Sequence, residues 1–121
     1  MAARSFHIRL VNATGGPLTR NSFGLSHGVW SSNNSAVPPA QILPGHAGNW
    51  QSESNGVATG TEGTADYSAS NGVINIHWDD PYFGSNSLDV AVPAGIQQSH
   101  GDISGNDAAV EIILTGGIID D

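Results

Sequence analysis

The sequence predicts an all-β fold, a single antiparallel β-sandwich domain spanning residues 1–121. Three observations carry this. Apolar and polar side chains alternate in short runs, as half-buried strands require. Turn signals separate the runs, among them the hairpin-type pairs Asn55-Gly56 and Asn71-Gly72. No stretch repeats its apolar residues at helical spacing between caps.

The elements follow in order. Ser5 to Val11 turns Phe6, Ile8 and Leu10 one way and His7 and Arg9 the other. Asn12 to Pro17 breaks the run with two glycines and a proline. Leu18 to Leu25 reads as a second strand, weakened by Asn21 and Gly24. Ser26 to Ser31 reads as a strand end carrying Trp30, and Ser32 to Pro39 as a loop. Ala40 to Leu43 is short and closes at Pro44-Gly45. Gly48 to Ser54 puts Trp50 and Ser52 on one face. Val57 to Ser68 sets Thr61, Gly63 and Ala65 against Glu62, Thr64 and Asp66. Val73 to Trp78 turns Ile74, Ile76 and Trp78 one way and Asn75 and His77 the other. Ser87 to Val92 points Leu88, Val90 and Val92 inward. Ile96 to Asp107 is polar and irregular, and Ala108 to Leu114 closes the sandwich with Val110, Ile112 and Leu114. Ile118 to Asp121 reads as a frayed tail.

Charge narrows the function. The net value is −8, lysine is absent, and the formal cations are Arg4, Arg9 and Arg20. Nucleic acid is therefore not expected as a partner, because phosphate neutralisation needs Lys or Arg clusters. Attraction to anionic head groups is disfavoured for the same reason. There is no cysteine, so neither disulfides nor thiolate metal sites support the fold. No apolar run approaches the ~18 residues of a spanning helix. The opening MAARSFHIRL has no apolar signal-peptide region. The expectation is a protein made soluble, with a cytoplasmic pool, that reaches any extracellular target membrane by another route.

Catalytic and metal chemistry find little support. The histidines form no H-x-H or H-E-x-x-H, and Asp102 to Asp107 lacks the EF-hand spacing. No nucleophile elbow or phosphate-cradling loop is present. Asp79, Asp80, Glu53 and Glu62 could be paired as glycosidase carboxylates, but spaced carboxylates recur in any acidic chain. The expectation is a binding protein without catalysis or cofactor.

The unusual content lies in residues 50–86. Trp78 alternates with Ile74 and Ile76, which assigns it to the core. Asp79-Asp80-Pro81 then stops the strand, since proline cannot donate to a ladder. Tyr82 and Phe83 follow on a loop before Gly84, where large rings are hard to bury.

Five segments together resemble the aegerolysin family. They are Leu25-Ser26-His27-Gly28-Val29-Trp30, Pro38-Pro39, Trp50 to Ser54, Gly60-Thr61-Glu62-Gly63-Thr64, and Trp78-Asp79-Asp80-Pro81-Tyr82-Phe83-Gly84. The resemblance is to the branch with small bacterial crystal-protein-like members. It implies a small β-sandwich, often without a signal peptide, that binds sphingolipid-containing membranes. It also implies a larger perforin-like partner, as in two-part pore-forming cytolysins and insecticidal toxins. It points to Trp30, Glu62 and the aromatics around Trp78 and Tyr82 as lipid-binding residues, and Asp79 and Phe83 are expected with them. Because Asp79-Asp80-Pro81 stops the strand, Tyr82 and Phe83 are expected to form the membrane-facing tip, with Trp30 and Glu62 nearby at the same end. The chain departs from the family in having Asp80 where well-known fungal members carry cysteine, and in lacking lysine. A choline or ethanolamine head group is a cation that aromatic faces and a carboxylate can hold. The alternative is a sugar-binding lectin that stacks Trp or Tyr on a ring on the same architecture.

One expectation follows from the charge. Without lysine there is little long-range attraction for salt to screen. Liposome binding should change less than about threefold between low salt and about 0.5 M. A steep loss with salt, or a preference for purely anionic vesicles, would rule out recognition of neutral head groups.

Overall fold

The computed structural model describes residues 2–31 and 37–116. Within them lie β1 (Ser5–Thr14), β2 (Leu18–His27), β3 (Val29–Trp30), β4 (Gln41–Ile42) and β5 (Ala47–Glu53), then β6 (Thr61–Ala69), β7 (Gly72–Asp80), β8 (Ser87–Ala91), β9 (Ile96–His100) and β10 (Asp107–Gly116). One sheet runs β3-β5-β1-β10-β9 and the other β4-β2-β6-β7-β8. The two sheets form the expected sandwich.

The alternation read from the sequence becomes burial. Phe6, Ile8 and Leu10 of β1, Ile74, Ile76 and Trp78 of β7, and Ile112 and Leu114 of β10 are sealed from solvent. A chain of rings crosses the interior at centroid spacings of 5.8 Å for Phe23–Trp30, 6.1 Å for Trp30–Trp78, 5.9 Å for Trp78–Trp50 and 6.3 Å for Trp50–Tyr67. Such tilted and offset pairs add stability beyond the area they bury.

The core contains a polar seam between the sheets. Trp78 Nε1 donates to Ser52 Oγ at 3.0 Å, and Thr61 Oγ1 lies 2.7 Å from the same oxygen. β6 must come close to make this fit. A Cβ at Gly63 would lie 2.5 Å from the Trp78 ring and 2.6 Å from Leu25. The glycine of the Glu-Gly-Thr segment is thus the space into which Trp78 packs.

Three features differ from the sequence reading. β1 and β10 pair in parallel, from Ser5↔Asp107 to Thr14↔Gly116. No hairpin links these strands, so nothing imposes the antiparallel direction that a tight turn would. Residues 55–60 are a loop, and β6 begins only at Thr61. β9 lies within the polar stretch after Ile96, where four of its five residues are exposed at the sheet edge, which leaves no alternation to read. Most of the Ser32–Pro39 loop and the Ile118–Asp121 tail lie outside the described residues.

Two substitutions separate packing from polar bridging. Trp78→Ala should cost about 3–5 kcal/mol of unfolding free energy. Ser52→Ala should cost about 1–3 kcal/mol, because it strands a buried indole N–H. Urea unfolding measures both. A neutral Ser52→Ala would mean that the seam does not hold the sheets.

Candidate functional site

The inward phase of Ile74, Ile76 and Trp78 forces His77 and Asp79 onto the outer face of β7. Glu62 on β6 pairs across to Asp79, so two carboxylates stand side by side near the strand ends. β7 ends at Asp80, and the 81–86 segment leaves the sheet at Pro81.

Arg4 holds that loop in place. Its Nη2 donates to the Tyr82 carbonyl at 2.8 Å and its Nε to the Pro81 carbonyl at 3.3 Å. Its guanidinium also lies 4.5 Å from the Tyr82 ring centroid. Arg4 is itself fixed, because the Ala3 and Arg4 amides both donate to Ser54 Oγ. On the other side the loop meets Gly60, where a Cβ would lie 2.5 Å from the Asp80 carbonyl and 2.9 Å from the Tyr82 nitrogen. Tyr82 is therefore anchored and half-buried. Phe83 meets it edge-on at 4.9 Å and is 82% exposed.

These elements enclose an open cleft of about 380 Å³, lined by His27, Thr59, Glu62, Asp79, Tyr82 and Phe83 among others. Glu62 is the electrostatic centre of its floor. Its Oε2 lies 2.7 Å from His77 Nε2 and its Oε1 3.8 Å from His27 Nε2. Burial pushes the Asp79 carboxyl above its usual range, and the neighbouring Glu62 charge adds to this. The cleft joins aromatic faces, carboxylates and one imidazole, a combination suited to a cationic or zwitterionic group.

Asp80 faces inward beneath the same loop, 1% exposed. Arg4 Nε lies 3.9 Å from its Oδ1, while its Oδ2 has no hydrogen-bond partner among the described residues. Burial raises its pKa to about 6 against the pull of Arg4.

Of the residues singled out in the sequence, Glu62, Asp79, Tyr82 and Phe83 line one cleft. Trp30 and Trp78 do not line it. Trp78 is fully enclosed, and Trp30 packs half-buried against it from β3, supporting the same end from within. Sequence reasoning missed four contributors. His27 and His77 lie outside any motif, and their relevance depends on the register that brings them to Glu62. Arg4 acts across 77 and 78 positions of chain. Val57 is 96% exposed on the loop after Asn55-Gly56, where the sequence suggested a strand. Beside it, Ala58 has a φ of 57° and is the one non-glycine residue with positive φ among those described.

Comparison with known proteins bears on the family and the fold. The aegerolysin family model matches residues 3–94. A solved structure described as the lipid binding protein Nakanori superposes with a TM-score of 0.73 at 18% identity, covering 94% of this chain and 72% of that one. No curated protein matches the sequence.

The buried Asp80 carboxyl gives a signed expectation. A carboxyl raised from 3.8 to about 6 in the folded state stabilises the fold below the lower value, and that contribution is lost as pH rises through the upper one. Asp80→Asn should therefore raise stability at pH 7.5 by about 3 kcal/mol and leave it nearly unchanged at pH 4. Thermal melts of both proteins across this range test it. An equal effect at both pH values would mean that Asp80 does not titrate in this window.

Proposed function

The chain belongs to the aegerolysin family, and from that membership and the geometry of the cleft we propose that it binds membrane lipid at this end of the sandwich, taking a sphingolipid-type head group between Glu62 and the Tyr82–Phe83 loop. The observation that carries the reading is the convergence of Glu62, Asp79, Tyr82 and the exposed Phe83 on one open cleft. Phe83 is exposed in the cleft lining, and the exposed Val57 lines a neighbouring hollow that shares Ala58 and Tyr82 with the cleft, so both stand at this end. Apolar and aromatic side chains at that height suit the boundary between head groups and acyl chains. The carboxylates behind them suit the ammonium end of a choline or ethanolamine group. The Nakanori structure, described as a lipid binding protein, has the same fold.

In this reading the protein recognises lipid and does not catalyse. Its buried apolar side chains are committed to the sandwich core, and the described residues include no helix long and apolar enough to cross a membrane. Permeabilisation would then fall to a larger perforin-like partner, with this chain supplying the recognition half of a two-part cytolysin. The protein would be made soluble and would meet target membranes from outside.

Co-sedimentation with liposomes, with and without sphingolipid, tests the reading, and a glycan array serves as the competing arm. Phe83→Ala and Val57→Asp should each weaken binding by about 1–3 kcal/mol. Stability should stay within about 0.5 kcal/mol, as is usual for exposed loop positions. Glu62→Gln should weaken binding without loss of fold. Unchanged binding in all three variants, or capture of glycans without lipid, would overturn the assignment.

A further inference from the structure

The Glu62 carboxylate does not stand alone on its sheet face. It is one of the two inner members of a row crossing four strands: His27 on β2, Glu62 on β6, His77 on β7 and Asp89 on β8. Strand register builds this row. His27 pairs with Glu62, and His77 with Asp89, as direct cross-strand partners. His77 bridges the two carboxylates, with Nε2 2.7 Å from Glu62 Oε2 and Nδ1 3.8 Å from Asp89 Oδ2. A neutral imidazole has one N–H and one bare lone pair, so it can serve one carboxylate as a donor. The imidazolium can serve both. His27 places a second imidazole against the other Glu62 oxygen.

We infer that His27 and His77 make the head-group selectivity of the cleft depend on pH: when protonated they neutralise Glu62 and the cleft loses its attraction for an ammonium group, and when neutral they leave the Glu62 charge available. This deepens the lipid-binding reading above and rests on it. The formal balance supports it. Glu62, Asp79 and Asp89 carry three negative charges when ionised, and the two protonated histidines oppose two of them. Histidine changes charge between about pH 5 and 8, so the change falls in a range that membranes encounter. Asp80 titrates in the same range, but it faces the interior behind the loop, against Arg4 and near Asp107 and Asp79. His77→Gln keeps an amide that can bond Glu62 but removes the titrating charge, so the two sources can be separated.

The test is binding to sphingomyelin-containing vesicles between pH 5.5 and 8, beside phosphatidylcholine vesicles as a second carrier of the phosphocholine group. The wild-type chain should bind on the order of fivefold to tenfold more weakly at pH 5.5 than at pH 7.5. The His27→Gln, His77→Gln double variant should bind nearly equally at both. Asp89→Asn removes a partner of the His77 imidazolium, so it should lessen the loss of binding at pH 5.5. His100→Gln, on β9 in the other sheet, should leave the profile unchanged. Melts at each pH establish that every variant is folded, and Asp89→Asn decides the matter if the double variant is not. A flat wild-type profile, a double variant that keeps the wild-type slope, or tighter binding on acidification overturns the inference while leaving lipid binding intact. Failure to bind either vesicle at any pH overturns the lipid-binding reading, and this inference with it.

Discussion

The phase of β7 is the constraint on which the rest depends, and the Trp78 indole sets it. That ring fills the space left by Gly63, packs at a tilt against Trp30 and Trp50, and donates its N–H to Ser52 on the opposite sheet. A shift of one residue would bring His77 and Asp79 into the core and expose Ile74, Ile76 and Trp78. Few alternatives are so unfavourable, so the outward row of His77 and Asp79 is as well determined as the core itself. The polar face of the site is specified by what lies behind it.

The loop beyond β7 is held by a different kind of force. Pro81 ends the ladder, Gly60 admits the backbone, and Arg4 satisfies two carbonyls that would otherwise lack partners. This arrangement leaves Asp80 enclosed with one carboxylate oxygen unbonded. Burying such a group is unfavourable unless it is paired. The neighbouring Arg4 offsets that only in part, since its N–H groups are largely directed at carbonyls. This end of the molecule therefore sets exposed Phe83 and Val57 near an enclosed carboxyl with one unbonded oxygen.

Much of this was legible in the chain because period-two alternation reports burial directly. Phe6-Ile8-Leu10 and Ile74-Ile76-Trp78 could be assigned to a face before any pairing was known. The Glu-Gly-Thr and Trp-Asp-Asp-Pro-Tyr-Phe-Gly segments also fall together in the fold, where Glu62, Asp79, Tyr82 and Phe83 line one cleft. What escaped depended on contacts between distant residues. His27, His77 and Asp89 are unremarkable singly and form a row only through strand register. Arg4 is one of three arginines until the loop it grips is in place. β9 is a polar edge strand, and edges carry no burial signal. Val57 was lost because the alternation of small residues ran through a loop as readily as through the strand after it.

The parallel seam between β1 and β10 has a consequence for how the molecule comes to exist. Its partners, from Ser5 with Asp107 to Thr14 with Gly116, lie almost a full chain length apart. No local hairpin can nucleate such a pairing, and the entropy of closing so large a loop is spent before any ladder bond rewards it. On a ribosome, β1 would emerge first and wait for nearly the whole chain, with one edge covered only by β5 when that strand follows. The β2-β6-β7-β8 sheet, by contrast, draws on earlier residues and includes two adjacent antiparallel pairs, β6-β7 and β7-β8. The sheet that bears Glu62, His77 and Asp79 can therefore assemble before the other is sealed, and docking of β10 closes the sandwich over a sheet whose outward polar row already exists.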